Sequence, residues 1–192
     1  MTDPIHQFSE WFEEAKACAA ISEPTAMALA TANANGAPSV RIVLLKAYDA
    51  RGFVFYTNLE SRKSAELNTN PHVALCFYWM ALNKQVRVEG TIERVDDAQA
   101  DAYFAGRPRD SQVGAWASTQ SHPLASREEL LARIAEYEKK FAGATVPRPP
   151  HWGGWRVVPE KIEFWQQGDF RLHERELFTR GGDGWEVSSL YP

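Results

Sequence analysis

Arg41 and Lys46 bracket four branched aliphatic residues, Ile42-Val43-Leu44-Leu45. Such a run reads as a strand buried on both faces. In a pleated strand Arg41, Val43 and Leu45 share one face, and Ile42, Leu44 and Lys46 the other. A buried cation without a partner is costly, so the two cations require anions, either protein carboxylates or a phosphate-bearing ligand. Three more basic clusters favour phosphate. The stretch Tyr56 to Ser64 runs from a strand end into a helix start, where free N–H groups and the helix dipole attract anions. Arg62 and Lys63 add charge there, and Thr57, Ser61 and Ser64 add hydroxyls; a solvated cap with two surface cations fits the same residues equally well. Further on, Tyr103, Arg107 and Ser111 recur at intervals of four, with Gly106 and Pro108 bending the chain. Asp110 is placed to pair with Arg107 or Arg109, so a structural clamp is the alternative. Last, Arg171, His173 and Arg175 alternate and would share one face of a strand. Three basic groups repel unless an anion or an electron-rich ring lies between them, or unless the strand faces solvent.

Other chemistries find little support. His6, His72, His122 and His151 are isolated, and there is no HxxxH, CxxC or carboxylate cluster, so no metal is expected. There is no GxGxxG or Walker-type loop. Any phosphate must therefore be held by side chains and one helix start.

The elements that position these groups are mostly strands. Ala26–Ala32, Ser39–Lys46, Gly52–Thr57, Val73–Met80 and Gln85–Val95 follow one another, with turn residues at Asn35-Gly36, Asp49 to Gly52 and Asn83. Strand patterns resume at Trp155–Val158, Ile162–Gln166, Phe170–Phe178 and Trp185–Leu190. Short connections point to an antiparallel sheet or barrel. Helices are expected at the N-terminus (capped by Asp3, with Pro4 first and a stripe Phe8, Phe12, Ala15, Ala19), over Arg62–Asn68 capped by Ser61, over Asp97–Ala105, and after the capping box that opens at Ser126. Gly143 to Gly154 reads as an ordered surface loop. The fold class is mainly β with peripheral helices.

The 192 residues suit one domain, 1–192, and 44% apolar content excludes disorder. A net charge of −4 gives no support to a nucleic-acid coat. No apolar stretch is long enough for a membrane helix. Cys18 and Cys76 stand apart, and Met1-Thr2-Asp3-Pro4 does not open a signal peptide, so a reducing, cytoplasmic setting is expected.

Taken together, Arg41–Lys46, Phe55–Lys63, Gln85–Val88, Arg107-Pro108-Arg109-Asp110-Ser111-Gln112, Gly114–Trp116, Gln120-Ser121, Trp152-Gly153-Gly154 and Ile162–Arg175 resemble the pyridoxine/pyridoxamine 5′-phosphate oxidase family. The resemblance runs from about Asp3 to the C-terminus. It implies an FMN-binding split β-barrel, a homodimer with sites at the subunit interface, and oxidation of pyridoxine or pyridoxamine 5′-phosphate to pyridoxal 5′-phosphate with O2 as acceptor. It further implies that FMN lies against Arg41, Ile42, Val43, Leu44, Leu45 and Lys46. Tyr56, Thr57, Arg62 and Lys63 would join Arg41 around its phosphate. Gln85, Gln120, Ser121, Trp165 and Arg175 would complete the cofactor site, some from the partner. Substrate would meet Lys46, Tyr103, Arg107 and Ser111 at its phosphate, and Arg171, Leu172 and His173 at its ring, with Arg171 and His173 as the catalytic pair. The family's longer N-terminal arm, an Arg-Arg-Glu-Tyr-like segment over the substrate, has no counterpart in this sequence, so another element is expected to cover the substrate. Other split-barrel flavoproteins, a flavin or pyridoxal phosphate carrier, and a plain interaction domain are the competing classes.

Overall fold

Strand β7 (Trp152–Gln166) organises the molecule, because its two halves have different neighbours. On one side it pairs with β6 (Lys84–Arg94) along nearly its whole length. On the other, its first half pairs with β4 (Gly52–Asn58) and its second half with β8 (Glu174–Gly181). The computed structural model describes residues 3–182 and 184–192; Met1 and Thr2, read above as part of the N-terminus, and Asp183 lie outside them. The remaining strands are β1 (Ala26–Ala32), β2 (Pro38–Leu44), β3 (Ala47–Asp49), β5 (His72–Trp79) and β9 (Gly184–Ser189). The order is β2-β1-β5-β6-β7-β4-β3, with β8 and β9 branching from β7, and every pairing is antiparallel. The register of β6 shifts between Glu89 and Gly90, where β7 turns through Pro159. A Cβ on Gly90 would lie 2.0 Å from the Val158 carbonyl oxygen. Only glycine permits that approach.

Period-two alternation explains the two faces of this sheet. One cross-strand row is Leu29, Leu75, Val88, Ile162 and Phe178, all buried, and it ends at Arg41 on the edge strand. The row on the opposite face is Ile42, Ala28, Cys76, Arg87 and Glu163. Helix α1 (Pro4–Ala17) closes the inner face. Asp3 caps it, and Phe8 packs against Phe53 and Phe77 at 4.9 and 5.1 Å between ring centroids. Helix α2 (Arg62–Thr69) packs on β1. Helices α3 (Asp97–Ala105), α4 (Arg109–Ala117) and α5 (Arg127–Lys140) build a second cluster around Phe104, Val113, Phe141 and Trp152.

Several expectations are corrected. The strand at 41–46 is not buried on both faces: β2 is an edge strand that ends at Leu44, and Val40 and Ile42 are 69% and 64% exposed. Phe170–Phe178 is not one strand. Asp169–Arg171 is a 3-10 turn with positive φ at Phe170 and Arg171, and β8 starts at Glu174. The two strands read at 155–158 and 162–166 are one, and it takes in the end of the supposed loop at Trp152-Gly153-Gly154. Ala19 lies beyond α1 and is exposed. Ser61 precedes α2 without capping it, because its hydroxyl donates to the Asn58 carbonyl at 2.7 Å. Asp110 clamps neither arginine; Arg109 instead donates to the Ala144 and Phe141 carbonyls. Helix α4 and the short β3 were not foreseen.

Candidate active site

The end of β2, the end of β4, the start of α2 and the junction of α3 with α4 surround an open cavity of about 900 Å³. Its two ends are both cationic, for different reasons.

At one end Lys63 Nζ donates to Gln120 Oε1 at 2.6 Å, Thr57 Oγ1 at 2.9 Å and Ser61 Oγ at 3.3 Å. None of these acceptors is charged. Burial, and then the nearby Arg41 guanidinium, lower its pKa to about 8. Behind Lys63 lies the buried carboxylate of Glu66. Its Oε2 accepts from Thr31 at 2.5 Å, Ser39 at 2.7 Å and Arg41 Nη2 at 3.1 Å, and its Oε1 accepts from Arg62 Nε at 2.9 Å. Burial alone would raise the Glu66 pKa; the bonds from Thr31, Ser39, Arg62 and Arg41 outweigh it and bring it down to about 2. Arg41 and Arg62 thus share one carboxylate and Lys63 has no acidic partner among the described residues, an excess of about two positive charges, which matches a phosphate monoester. Because Ser61 does not cap α2, the helix start keeps N–H groups for such an anion.

At the other end Arg107 lies 4.8 Å above the Trp152 ring and 5.5 Å from that of Phe104. Burial lowers its pKa, and its buried Nη1 has no hydrogen-bond partner among the described residues. A buried guanidinium nitrogen left unpaired is costly, and an anionic ligand would satisfy it. Tyr103 stacks on Tyr56 at 4.1 Å, and Tyr56 on Trp152 at 5.3 Å, so the wall is flat and aromatic. Ser111 and Lys46 line the same cavity, with Ile42, Val43 and Leu44 between the two ends.

The structure therefore brings together Ile42, Val43, Leu44, Lys46, Tyr56, Thr57, Lys63, Gln120, Tyr103, Arg107 and Ser111. Arg41 and Arg62 stand behind, on Glu66, and Leu45 is in the core. Ser121 follows Gln120 with a φ of 71° and is exposed. The other residues lie apart in the single chain. Gln85, Trp165 and Arg175 form one cross-strand row, and Arg175 donates to Glu163 at 2.8 Å. Arg171 and His173 line a separate cleft, and Leu172 beside them is 67% exposed. Glu66 was missed, and Trp152, though part of a segment that carries the resemblance, was given no role in the site. The spacing of Arg62 and Glu66, four apart on a helix, was a usable signal for the first. The reading of Gly143 to Gly154 as a surface loop gave Trp152 no element from which to line a site.

A curled antiparallel sheet with a doubly cationic cavity at its edge defines a split-barrel flavoprotein fitted to phosphorylated ligands. The profile described as "Pyridoxamine 5′-phosphate oxidase" matches residues 13–141, and that described as "Pyridoxine 5′-phosphate oxidase C-terminal dimerisation region" matches 152–192. The chain belongs to the pyridoxine/pyridoxamine 5′-phosphate oxidase family. A relative of that name from Myxococcus xanthus (strain DK1622) is 61% identical over 99% of this chain and 92% of its own length. One from Rubrobacter xylanophilus is 60% identical over 99% and 87%. Among solved structures, PhzG from Burkholderia lata 383, in complex with tetrahydrophenazine-1-carboxylic acid, superposes with a TM-score of 0.94 at 33% identity, covering 100% of this chain and 94% of that one. A pyridoxamine 5′-phosphate oxidase-related, FMN-binding protein from Nostoc punctiforme shares the fold, with a TM-score of 0.79 at 15% identity and full coverage of both chains.

Proposed function

We propose that this chain, as a single domain in a homodimer, oxidises pyridoxine 5′-phosphate and pyridoxamine 5′-phosphate to pyridoxal 5′-phosphate. O2 is the final acceptor and yields H2O2, and the amine substrate also releases ammonia. The observation that carries the reading is one cavity with two separate cationic ends, each short of an anion, which suits one cofactor phosphate and one substrate phosphate. FMN held there would supply the hydride acceptor and the route for electrons to O2. The protein binds, orients and excludes water.

In this reading Lys63, Thr57, Gln120 and Arg62 hold the FMN phosphate, and Glu66 holds Arg41 and Arg62 beside it. Ile42, Val43 and Leu44 support the flavin ring. Arg107, Tyr103, Ser111 and Lys46 hold the substrate phosphate. Fixing the substrate's 4′ carbon against the flavin is an orientation effect, which reaches ~7–11 kcal/mol in favourable cases. Arg171 and His173 come from the partner. The supporting surface is the outward sheet face, flattened by Ala28, Ala30 and Ala74 and carrying exposed Val40, Ile42 and Tyr78. Gln85, Trp165 and Arg175 share that face, so a second copy seated there would carry them and the 169–173 turn toward the cavity. No helix among the described residues is long and apolar enough to cross a membrane. Both cysteines are free, which supports the cytoplasm as the place of action.

The decisive experiment is spectroscopic. Pyridoxamine 5′-phosphate added to the flavin-loaded protein without O2 should bleach the flavin, and admitting air should restore it with one peroxide per pyridoxal 5′-phosphate. A flavin spectrum that substrate leaves unchanged would defeat the assignment.

A further inference from the structure

We propose that the backbone N–H of Gly168 fixes the tautomer of His173, so that His173 meets the substrate as an Nε2–H hydrogen-bond donor. Gly168 is then a positioning residue. The inference rests on the reading above, in which His173 faces the substrate ring.

The Gly168 N–H donates to His173 Nδ1 at 3.3 Å. A backbone amide nitrogen is a donor only, so Nδ1 is the acceptor. In a neutral imidazole the proton then sits on Nε2. An imidazolium would set two donors against each other at this contact.

The surrounding turn holds the contact in place. A Cβ on Gly168 would lie 2.1 Å from the Leu172 carbonyl oxygen, so no other residue fits without moving the turn. The Gln167 N–H donates to the Asn83 carbonyl at 3.0 Å, which ties the entry of the turn to the β5–β6 connection. The Leu172 N–H closes the turn onto the Asp169 carbonyl at 2.9 Å. The Trp165 ring packs against the imidazole, 4.7 Å between centroids. Nδ1 is thereby engaged inside the chain, and Nε2 is left for the ligand.

The chemical consequence is specific. Oxidation of the 4′ alcohol removes a hydride from carbon and a proton from oxygen. An Nε2–H donor binds an electron-rich oxygen of the substrate ring but does not receive that proton, which passes to water or to another base.

The test uses the FMN-loaded homodimer labelled with 15N in histidine, at about pH 8, where an ordinary histidine is neutral. Nitrogen–proton correlation spectra separate the two tautomers, and the spectrum of His173→Gln assigns the signal. A protonated Nε2 with a bare Nδ1 is expected. A protonated Nδ1 overturns the proposal. In Gly168→Ala the tautomers should mix while FMN affinity is unchanged; an unaltered tautomer there would remove Gly168 as the cause. Kinetically, the amide N–H of Gln falls near Nε2 and that of Asn near Nδ1. His173→Gln should keep kcat within about tenfold of wild type, and His173→Asn should lose roughly tenfold more. Equal losses would overturn the donor role. Unchanged turnover in both would remove His173 from the substrate and sink the underlying site assignment, while the spectra would still report the tautomer.

Discussion

Lys63 is a half-buried cation surrounded by neutral acceptors, and this sets a measurable pH dependence. Its pKa is held down to about 8 by burial and Arg41. A bound phosphate favours the charged amine and raises that pKa. Above about pH 8 the free site has lost the proton that the bound site needs, so binding must take one up. FMN affinity should therefore be flat from pH 7 to 8 and then fall by up to about tenfold per pH unit. The phosphate itself, with a second pKa near 6, is doubly ionised throughout. Fluorescence titration of the apoprotein checks this, and Lys63→Met should give weaker binding with no slope. At the other end of the cavity, Arg107→Ala removes charged hydrogen bonds of about 1.5–3 kcal/mol. Substrate KM should rise roughly 10- to 100-fold with kcat little changed. A fall in kcat at saturation with KM unchanged would contradict the assignment. The individual cations were legible in the sequence because charge and spacing are local. Their partners were not: Glu66 and Trp152 act only because α2 packs on β1 and because β7 begins beneath α3.

The elements explain why the strand at 41–46 was misread. Four branched aliphatics in a row signal burial, but the pattern does not say what covers them. Position in the sheet decides that, and β2 is at its edge. Similarly, alternation predicted that Arg171, His173 and Arg175 share a strand face. The left-handed φ values at Phe170 and Arg171 break the alternation, and no residue there advertises them. The capped helices, α1 and α5, were legible because their signals are short-range: Asp3 accepts from the Ile5 N–H at 2.9 Å, and Ser126 accepts from the Glu129 N–H at 3.2 Å. The irregularity at Gly90 in β6 belongs to the same scale. Placing a methyl group 2.0 Å from a carbonyl oxygen forces β6 and β7 apart. Gly90→Ala should cost roughly 3 kcal/mol, or about 6–12 °C in Tm. A melting point within a degree or two of wild type would show that the bulge is soft.

At the scale of the whole molecule, the single chain holds the doubly cationic cavity and the Arg171–His173 turn in separate places. If each site joins one chain's cavity to the other's turn, two defective homodimers can repair each other. With substrate held well below the raised KM of Arg107→Ala, the Arg107→Ala and Arg171→Ala proteins should each work slowly, the former through weak substrate binding and the latter through turnover slowed on the order of 10²-fold with FMN retained. When the two are unfolded together and reassembled, mixed dimers gain one site with both arginines intact, so about one site in four should work. Activity no higher than the average of the two parents would place each site within one chain. By itself the sequence determined which residues carry charge and which segments alternate with the period of a strand, and hence a mainly β fold with several basic clusters; the assignment of two phosphates to them came from the family resemblance. Those features depend on residue type and near neighbours. Only the tertiary structure decided which cations are already neutralised, which strand is the edge, and that the Arg171–His173 turn lies apart from the cavity in one chain, because each depends on contacts between residues far apart in the chain.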